Sequence, residues 1–199
     1  MMRLSFIAKI QLTLVVAAVV TAGAAHLLVA DRGAERMAFA LPATLDSKQP
    51  WSHEVDAFAN RVEHVFGVRS EVAEEFSPWI LEASTRQDLN PELIASVVFT
   101  ESSFRKHVTS HIGAIGPAQV RPYWKDFCGS VSLANPDENI YCGAQILSHF
   151  KQDCGADTCA LAAYNVGPRH TDHEEFGEPG RRYVNKIDRH LARFNNTVL

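Results

Sequence analysis

Pro91-Glu-Leu-Ile-Ala-Ser-Val-Val-Phe-Thr-Glu101-Ser-Ser-Phe104 is the stretch from which the rest of the chain can be read. Asn90 before it suits a helix cap and Pro91 suits the first helical position, so a helix is predicted to begin here. Ile94, Val97, Val98 and Glu101 then share one face, which puts an ionisable group in line with an apolar stripe. Apolar neighbours and the negative end of the helix dipole both disfavour a carboxylate. Glu101 is therefore expected to hold its proton to higher pH than an ordinary glutamate and to be able to donate it. On this helix alone a plainer reading carries more weight: Glu101 turns outward at the helix end and pairs with Arg105, four residues on.

Two downstream segments change that weighing. Ser110-His-Ile-Gly113-Ala-Ile-Gly116-Pro117-Ala118-Gln119 and Ala163-Tyr164-Asn165-Val-Gly167 follow Glu101-Ser102 in order. Each is weak alone; together, at these separations, they resemble the SLT-type lytic transglycosylases of the lysozyme-like superfamily, over about residues 90–194. The resemblance implies a mainly α, lysozyme-like helical domain with a substrate groove. It makes Glu101 the catalytic acid and Ser110, Gln119, Tyr164 and Asn165 substrate-binding residues. Tyr183 matches the tyrosine of a Tyr-Val pair in the family's last helix, although Gly180 and Arg181 stand where Glu-Thr is usual. Pro117 and Ala118 replace a Leu-Met pair common in the family, which removes any groove contact made by that methionine. The family reaction uses no cofactor and no metal, and its substrate is the peptidoglycan glycan strand.

Residue chemistry alone supports less. Tyr164 offers a flat face and a hydroxyl donor, and Asn165 a donor and an acceptor, yet a core tyrosine and a C-terminal cap fit the same spacing. Gly113 and Gly116 allow positive φ angles or close approach of backbone to a ligand. A phosphate cradle would need a GxGxxG or GxxxxGK[ST] pattern, which this loop lacks.

Composition sets the outer bounds. The chain has 199 residues, 46% apolar and 21% charged, enough for one domain with a core and an appendage. Net charge is −4, and beyond the first thirty residues the balance is 17 basic against 23 acidic side chains, or −6, because Arg3 and Lys9 are the only charges before that point. Nothing here favours a nucleic-acid partner. Cys128, Cys142, Cys154 and Cys159 lack the CxxC spacing of a zinc site. In an exported domain they are expected to form disulfides, with Cys128–Cys142 and Cys154–Cys159 favoured because each pair is close in sequence and brackets a turn-rich segment; four free thiols are the alternative.

Residues 1–9 are basic, and residues 10–30 form an uncharged, mostly apolar run long enough to span a bilayer. Residues 1–30 are read as a signal peptide or signal anchor, with three fates open. Cleavage near Ala22-Gly23-Ala24 would free the domain, retention would anchor it in the inner membrane, and release from the bilayer would resemble the signal-arrest-release segments of phage endolysins. All three export the domain, to the periplasm or the periplasmic face of the inner membrane. Residues 31–53 read as a linker and 54–199 as the catalytic domain, a monomer.

Within that domain the periodicity predicts more helices. Val55, Phe58, Ala59, Val62 and Val65 or Phe66 line one, ended by Gly67; Ser70 is expected to cap the next, which Pro78 should break or kink. Asn135-Pro136 should start another, with Ile140, Ala144, Leu147 and Phe150 or Lys151 on its core face. A short helix from about Thr158 is expected to end at Tyr164, and a last helix carries Tyr183, Val184, Ile187, His190 or Leu191, and Phe194. Between them, His170, Asp172, His173, Glu174 and Glu175 read as a solvated loop in preference to a metal site.

One marked acid and no second carboxylate at a motif position separate this chain from two-carboxylate glycosidases. Two rival functions remain at this point. One is a lysozyme-like hydrolase using water, and the other a slow or inactive cell-wall-binding or assembly module, for which Pro117, Ala118 and Gly180 argue.

Overall fold

The structure, a computed structural model, describes residues 51–167 and 177–197. The apolar run at 10–30, residues 31–50 of the expected linker and the acidic and histidine-rich segment at 170–175 lie outside the described residues, whereas residues 51–53, also expected to be linker, form the start of the first helix. Among those described, no helix is long and apolar enough to cross a membrane, and pairing of the β type is limited to two isolated bridges.

Helix α1 (Trp51–Phe66) buries Phe58, Ala59, Val62, Val65 and Phe66, the face its periodicity predicts. Gly67, at φ +65°, ends it with its N–H on the Glu63 carbonyl, 2.7 Å away. Helix α2 (Ser70–Gln87) departs from expectation at its start, and of the two outcomes expected at Pro78 the break does not occur. Arg69, not Ser70, is the N-cap, and no side chain caps the helix. Pro78 does not break it: the helix runs through, with Phe76, Ser77, Ile80 and Leu81 buried on either side of the proline. A proline there removes one backbone bond at a cost of about 3 kcal/mol, which the burial of several large side chains at roughly 1.5–3 kcal/mol each offsets.

Helix α3 (Pro91–Ser102) starts as the sequence predicts, Asn90 Oδ1 accepting from Glu92 N at 2.7 Å and Leu93 N at 3.2 Å. Its burial is broader than one stripe, since Leu93, Ala95 and Ser96 are buried along with Ile94, Val97 and Val98. The reason is position: α3 packs between α2 and the last helix, so only its two ends reach the surface, the far one carrying Glu101. Past that turn, Ser103 and Phe104 both take left-handed backbone conformations, at φ +54° and +59°. Left-handed residues cost about 1–2 kcal/mol each. Here the bend drives the Phe104 ring into a cluster with Phe66, Phe76 and Phe99, at centroid distances of 5.5, 5.2 and 6.1 Å.

The chain then runs through a loop, a 3-10 turn (Pro122–Trp124) and a single turn of helix, α4 (Lys125–Cys128). Helix α5 (Pro136–Cys154) packs on α2 and on α6 (Asp157–Val166), which reaches two residues beyond Tyr164 before Gly167 ends it. Helix α7 (Glu178–Asn196) closes the bundle against α6, α3 and α1, burying Tyr183, Ile187, His190 and Phe194. Both expected disulfides are present: Cys128–Cys142 ties α4 to α5, and Cys154–Cys159 ties α5 to α6. Closing loops of these lengths stabilises by about 3 and about 2 kcal/mol on the chain-entropy account.

Candidate active site

Glu101 stands at the C-terminal turn of α3, partly buried, and does not pair with Arg105, whose Nε instead donates to the Ser102 carbonyl at 2.8 Å. Its partner comes from the other end of the domain: Tyr183 of α7 donates its hydroxyl to Glu101 Oε1 at 2.7 Å. Burial raises the Glu101 pKa above the ordinary carboxylate range, while the Tyr183 hydrogen bond and the nearby Lys186 charge pull it partway back. The phenols of Tyr183 and Tyr164 are pushed well above the usual range, by burial first and then by the Glu101 charge, so both are neutral donors.

Glu101 opens into a groove of about 270 Å³ that Ser110, Gln119, Tyr164 and Asn165 also line. Five residues spread over 65 positions of sequence therefore face one space. Tyr183 lines a second hollow, formed with Thr100, Pro179, Arg182 and Lys186 and sharing Glu101 and Asn165 with the groove. Glu101 is the only carboxylate among the described residues lining either hollow.

The loop wall of the groove is held by specific bonds. Ser110 Oγ accepts the Ala114 N–H at 3.0 Å and closes a turn. Gln119 has φ +50°, and its Nε2 donates to the Gly116 carbonyl at 2.9 Å and the Val108 carbonyl at 3.4 Å. The amide thus spans its own loop. The Tyr164 hydroxyl is not free for a sugar: it donates to the Ala118 carbonyl at 2.7 Å, so Tyr164 offers the groove its ring while its hydroxyl clasps the loop. Asn165 is exposed on the last turn of α6, and it does not cap that helix.

Sequence reasoning missed the residue on which this loop rests. Asn139 of α5 is completely buried; its Oδ1 accepts the Ala118 N–H at 2.8 Å, and its Nδ2 donates to the Ile115 carbonyl at 2.8 Å and the Leu133 carbonyl at 3.0 Å. Gly116, at φ +75°, fits only because it has no side chain, since a Cβ there would lie 2.5 Å from Asn139. One turn along α5, a Cβ on Gly143 would meet Ala118 at 2.7 Å and the Tyr164 hydroxyl at 2.9 Å. The available signal was an asparagine beside Ile140 on a core-facing helix, followed by an interior glycine. Trp124 and the exposed Ile112, Arg121 and Tyr123, which extend the groove wall, carried no motif.

Ala118, where the family often has methionine, is 2% exposed and does not line the groove. No cluster of three metal-ligating side chains occurs among the described residues.

The transglycosylase SLT domain family matches residues 78–183 of the 199, the span that contains every groove residue named above. The chain belongs to this family. A phage PRD1 protein described as a transglycosylase is 34% identical over 109 residues, which are 55% of this chain and 40% of that protein. A Hahella chejuensis protein described as membrane-bound lytic murein transglycosylase F is 29% identical over 105 residues, 49% of this chain and 21% of that one. This SLT chain therefore corresponds to less than half of the length of either relative. In structure it resembles an inactive mutant of lytic transglycosylase Slt from Pseudomonas aeruginosa, with a TM-score of 0.52 and 24% identity over 59% of this chain and 23% of that one. At that identity the likeness establishes a shared fold over the matched part.

Proposed function

We propose that this SLT-family protein is a peptidoglycan lytic transglycosylase, cleaving the β-1,4 linkage between N-acetylmuramic acid and N-acetylglucosamine and leaving 1,6-anhydro ends. The observation that carries the reading is a solitary glutamic acid, its pKa raised by burial, facing a polar groove and bonded to a neutral tyrosine.

Glu101, protonated, donates to the bridging oxygen as the C–O bond breaks. With no second carboxylate among the described residues lining the groove, stabilisation of the sugar cation falls to the substrate's own muramic acetamido group. Glu101, now a carboxylate, takes the proton of the muramic C6 hydroxyl as that oxygen attacks the anomeric carbon. Water is not consumed, and the acid returns to its starting state. Tyr183 supports both halves of the cycle: its hydrogen bond stabilises the carboxylate between them and fixes which oxygen faces the groove. Ser110, Gln119, the Tyr164 ring and Asn165 hold the acetamido group and the sugar, which matters because a misplaced near-attack geometry can cost a hundredfold in rate.

The place of work is outside the cytoplasm, a reading that the two disulfides support. Glu101→Gln is expected to keep the fold and lose nearly all lysis of purified sacculi. Mass spectrometry of muropeptides released by the wild type should show anhydro ends. Reducing ends would mean a hydrolase, and soluble product from the Gln variant at the wild-type rate would remove Glu101 from the chemistry.

A further inference from the structure

Outside the groove, the loop wall displays a row of rings that the core does not use. Five large apolar side chains are exposed among the described residues, and four of them, Ile112, Tyr123, Phe127 and Val131, fall between residues 112 and 131. Scattered exposed apolar residues need no explanation, but a cluster does. At its centre are the 3-10 turn and α4, in which no residue is buried. Tyr123 is 65% exposed and Phe127 42%. Trp124, half-buried between them, lies 5.4 Å from the Tyr123 ring, 5.2 Å from the Phe127 ring and 5.6 Å from the buried Phe150 ring, centre to centre. His149 of α5 extends the row, 5.2 Å from Phe127.

Such a segment gains little from burying its own side chains and is held by other means. Cys128–Cys142 fixes it to α5, and the Gln145 amide donates to the Phe127 carbonyl at 3.4 Å. Rings displayed on a clamped base suit a ligand, and two features indicate which kind. Tyr123 and Trp124 line the groove whereas Phe127 and His149 do not, so the row leads from the groove onto the open surface. The exposed Arg121, Lys125 and Asp126 are interleaved with these rings in the chain. A lipid or apolar protein partner would have to strip water from those charges. A pyranose would not, since it lays its C–H face on a ring and turns its hydroxyls and amide to polar neighbours and water. The groove itself, at about 270 Å³, lies below the usual ligand-pocket range of roughly 300–1,000 Å³ and holds only a short piece of a polymer. We propose that Tyr123, Trp124 and Phe127 form a sugar-binding platform outside the groove, which takes up the N-acetylated glycan strand where it leaves the groove and makes the protein favour long strands over short pieces.

The inference rests on the function proposed above and adds a length preference to it. A strand already held in the groove meets the platform as an intramolecular contact, which raises affinity without any change at Glu101. Flat ring faces carry the contact, not apolar area as such. Phe127→Trp therefore preserves it, whereas Phe127→Leu keeps an apolar surface and loses the face.

Binding, kept apart from turnover, tests this. The full chain carrying Glu101→Gln is titrated with a trimer and with an octamer of β-1,4-linked N-acetylglucosamine, and with phosphatidylglycerol vesicles. Phe127→Ala should weaken octamer binding roughly fivefold and trimer binding far less. Adding Tyr123→Ala should deepen the octamer loss beyond about tenfold. Phe127→Leu should behave as Phe127→Ala does, and Phe127→Trp should bind the octamer as the parent does. Circular dichroism confirms folding of each variant. Equal losses on the two oligosaccharides, or octamer binding that Phe127→Ala leaves intact, overturns the inference. So does vesicle binding that Phe127→Ala abolishes while octamer binding stays unchanged, which would give the rings to a membrane. Digestion of sacculi by the wild type separates the two claims: cleavage without the length-dependent loss leaves the enzyme reading standing and removes the platform, and the length-dependent loss without cleavage removes only the enzyme reading.

Discussion

The loop wall of the groove and the helix pair that holds Glu101 are built on opposite plans. The loop wall, from residue 105 to residue 135 on top of α5, has little regular structure, yet its polar groups are thoroughly bonded. Asn139 makes three buried hydrogen bonds to it, Tyr164 a fourth, and Cys128–Cys142 clamps its far end. Glu138 gathers the Ser132 N–H, the Ser130 hydroxyl and the Asn135 amide, which hold its pKa down to about 2. The α3–α7 pair, the helix wall behind Glu101, is regular throughout. It nevertheless carries the buried side-chain atoms that lack a protein partner among the described residues: Thr100 Oγ1 and both ring nitrogens of His190. His190 sits among apolar rings instead, 5.1 Å from Phe99 and 5.5 Å from Phe66, centre to centre.

The contrast separates regularity from rigidity. Hydrogen bonding of buried polar groups, not helix content, holds the loop wall. The helix wall carries uncompensated groups, one of them, Thr100, the neighbour in sequence of a carboxyl already held away from its ordinary pKa.

The largest expected effect would break the loop wall. Asn139→Leu leaves the Ala118 N–H and the Leu133 carbonyl without partners, while the Ile115 carbonyl loses one of two bonds and keeps the Val120 N–H. Buried groups left unsatisfied cost about 1–3 kcal/mol each, so urea unfolding should show a loss on the order of 4 kcal/mol. A loss under about 1 kcal/mol would mean that this side chain does not hold the loop.

Tyr183→Phe probes the helix wall with a smaller expected effect. Its hydrogen bond lowers the Glu101 pKa, so without it the pKa rises further. Because the first step needs the protonated acid, the alkaline limb of the kcat profile should move to higher pH. The maximum rate should also fall roughly tenfold, through looser placement of the carboxyl. An unmoved limb would show that the hydroxyl does not tune the acid.

The smallest effect concerns His190. Burial depresses its pKa below 6.5, with the charges of Lys186, Arg193 and Arg189 adding to the shift. The unfolded chain therefore binds a proton at higher pH than the folded one, so stability is fully present above about pH 6.5 and falls as pH drops through the folded value. His190→Leu should flatten the decline in Tm between pH 7 and pH 5. An equal decline in both proteins would place the acid sensitivity elsewhere.

Much of this was legible in the chain. The α1 face, the Asn90-Pro91 start and both disulfide pairings followed from spacing, because they depend on contacts close in sequence. Ser70 misled because a favoured local residue type yields to packing: α2 is capped by no side chain, and it runs unbroken through Pro78 between buried neighbours. The free Tyr164 hydroxyl was misjudged because its acceptor, the Ala118 carbonyl, lies 46 residues away and is a backbone atom that no side-chain pattern announces.

By itself the sequence determined the helices, their apolar faces and the ordered motifs that mark the family, all of them consequences of short-range periodicity and residue chemistry. Only the tertiary structure decided that Glu101 turns from Arg105 to Tyr183, 82 residues away, and that Asn139 carries the opposite wall. The reason is physical: a buried polar group takes whatever partner the folded chain brings within about 3 Å, and that choice is made across helices, not along them.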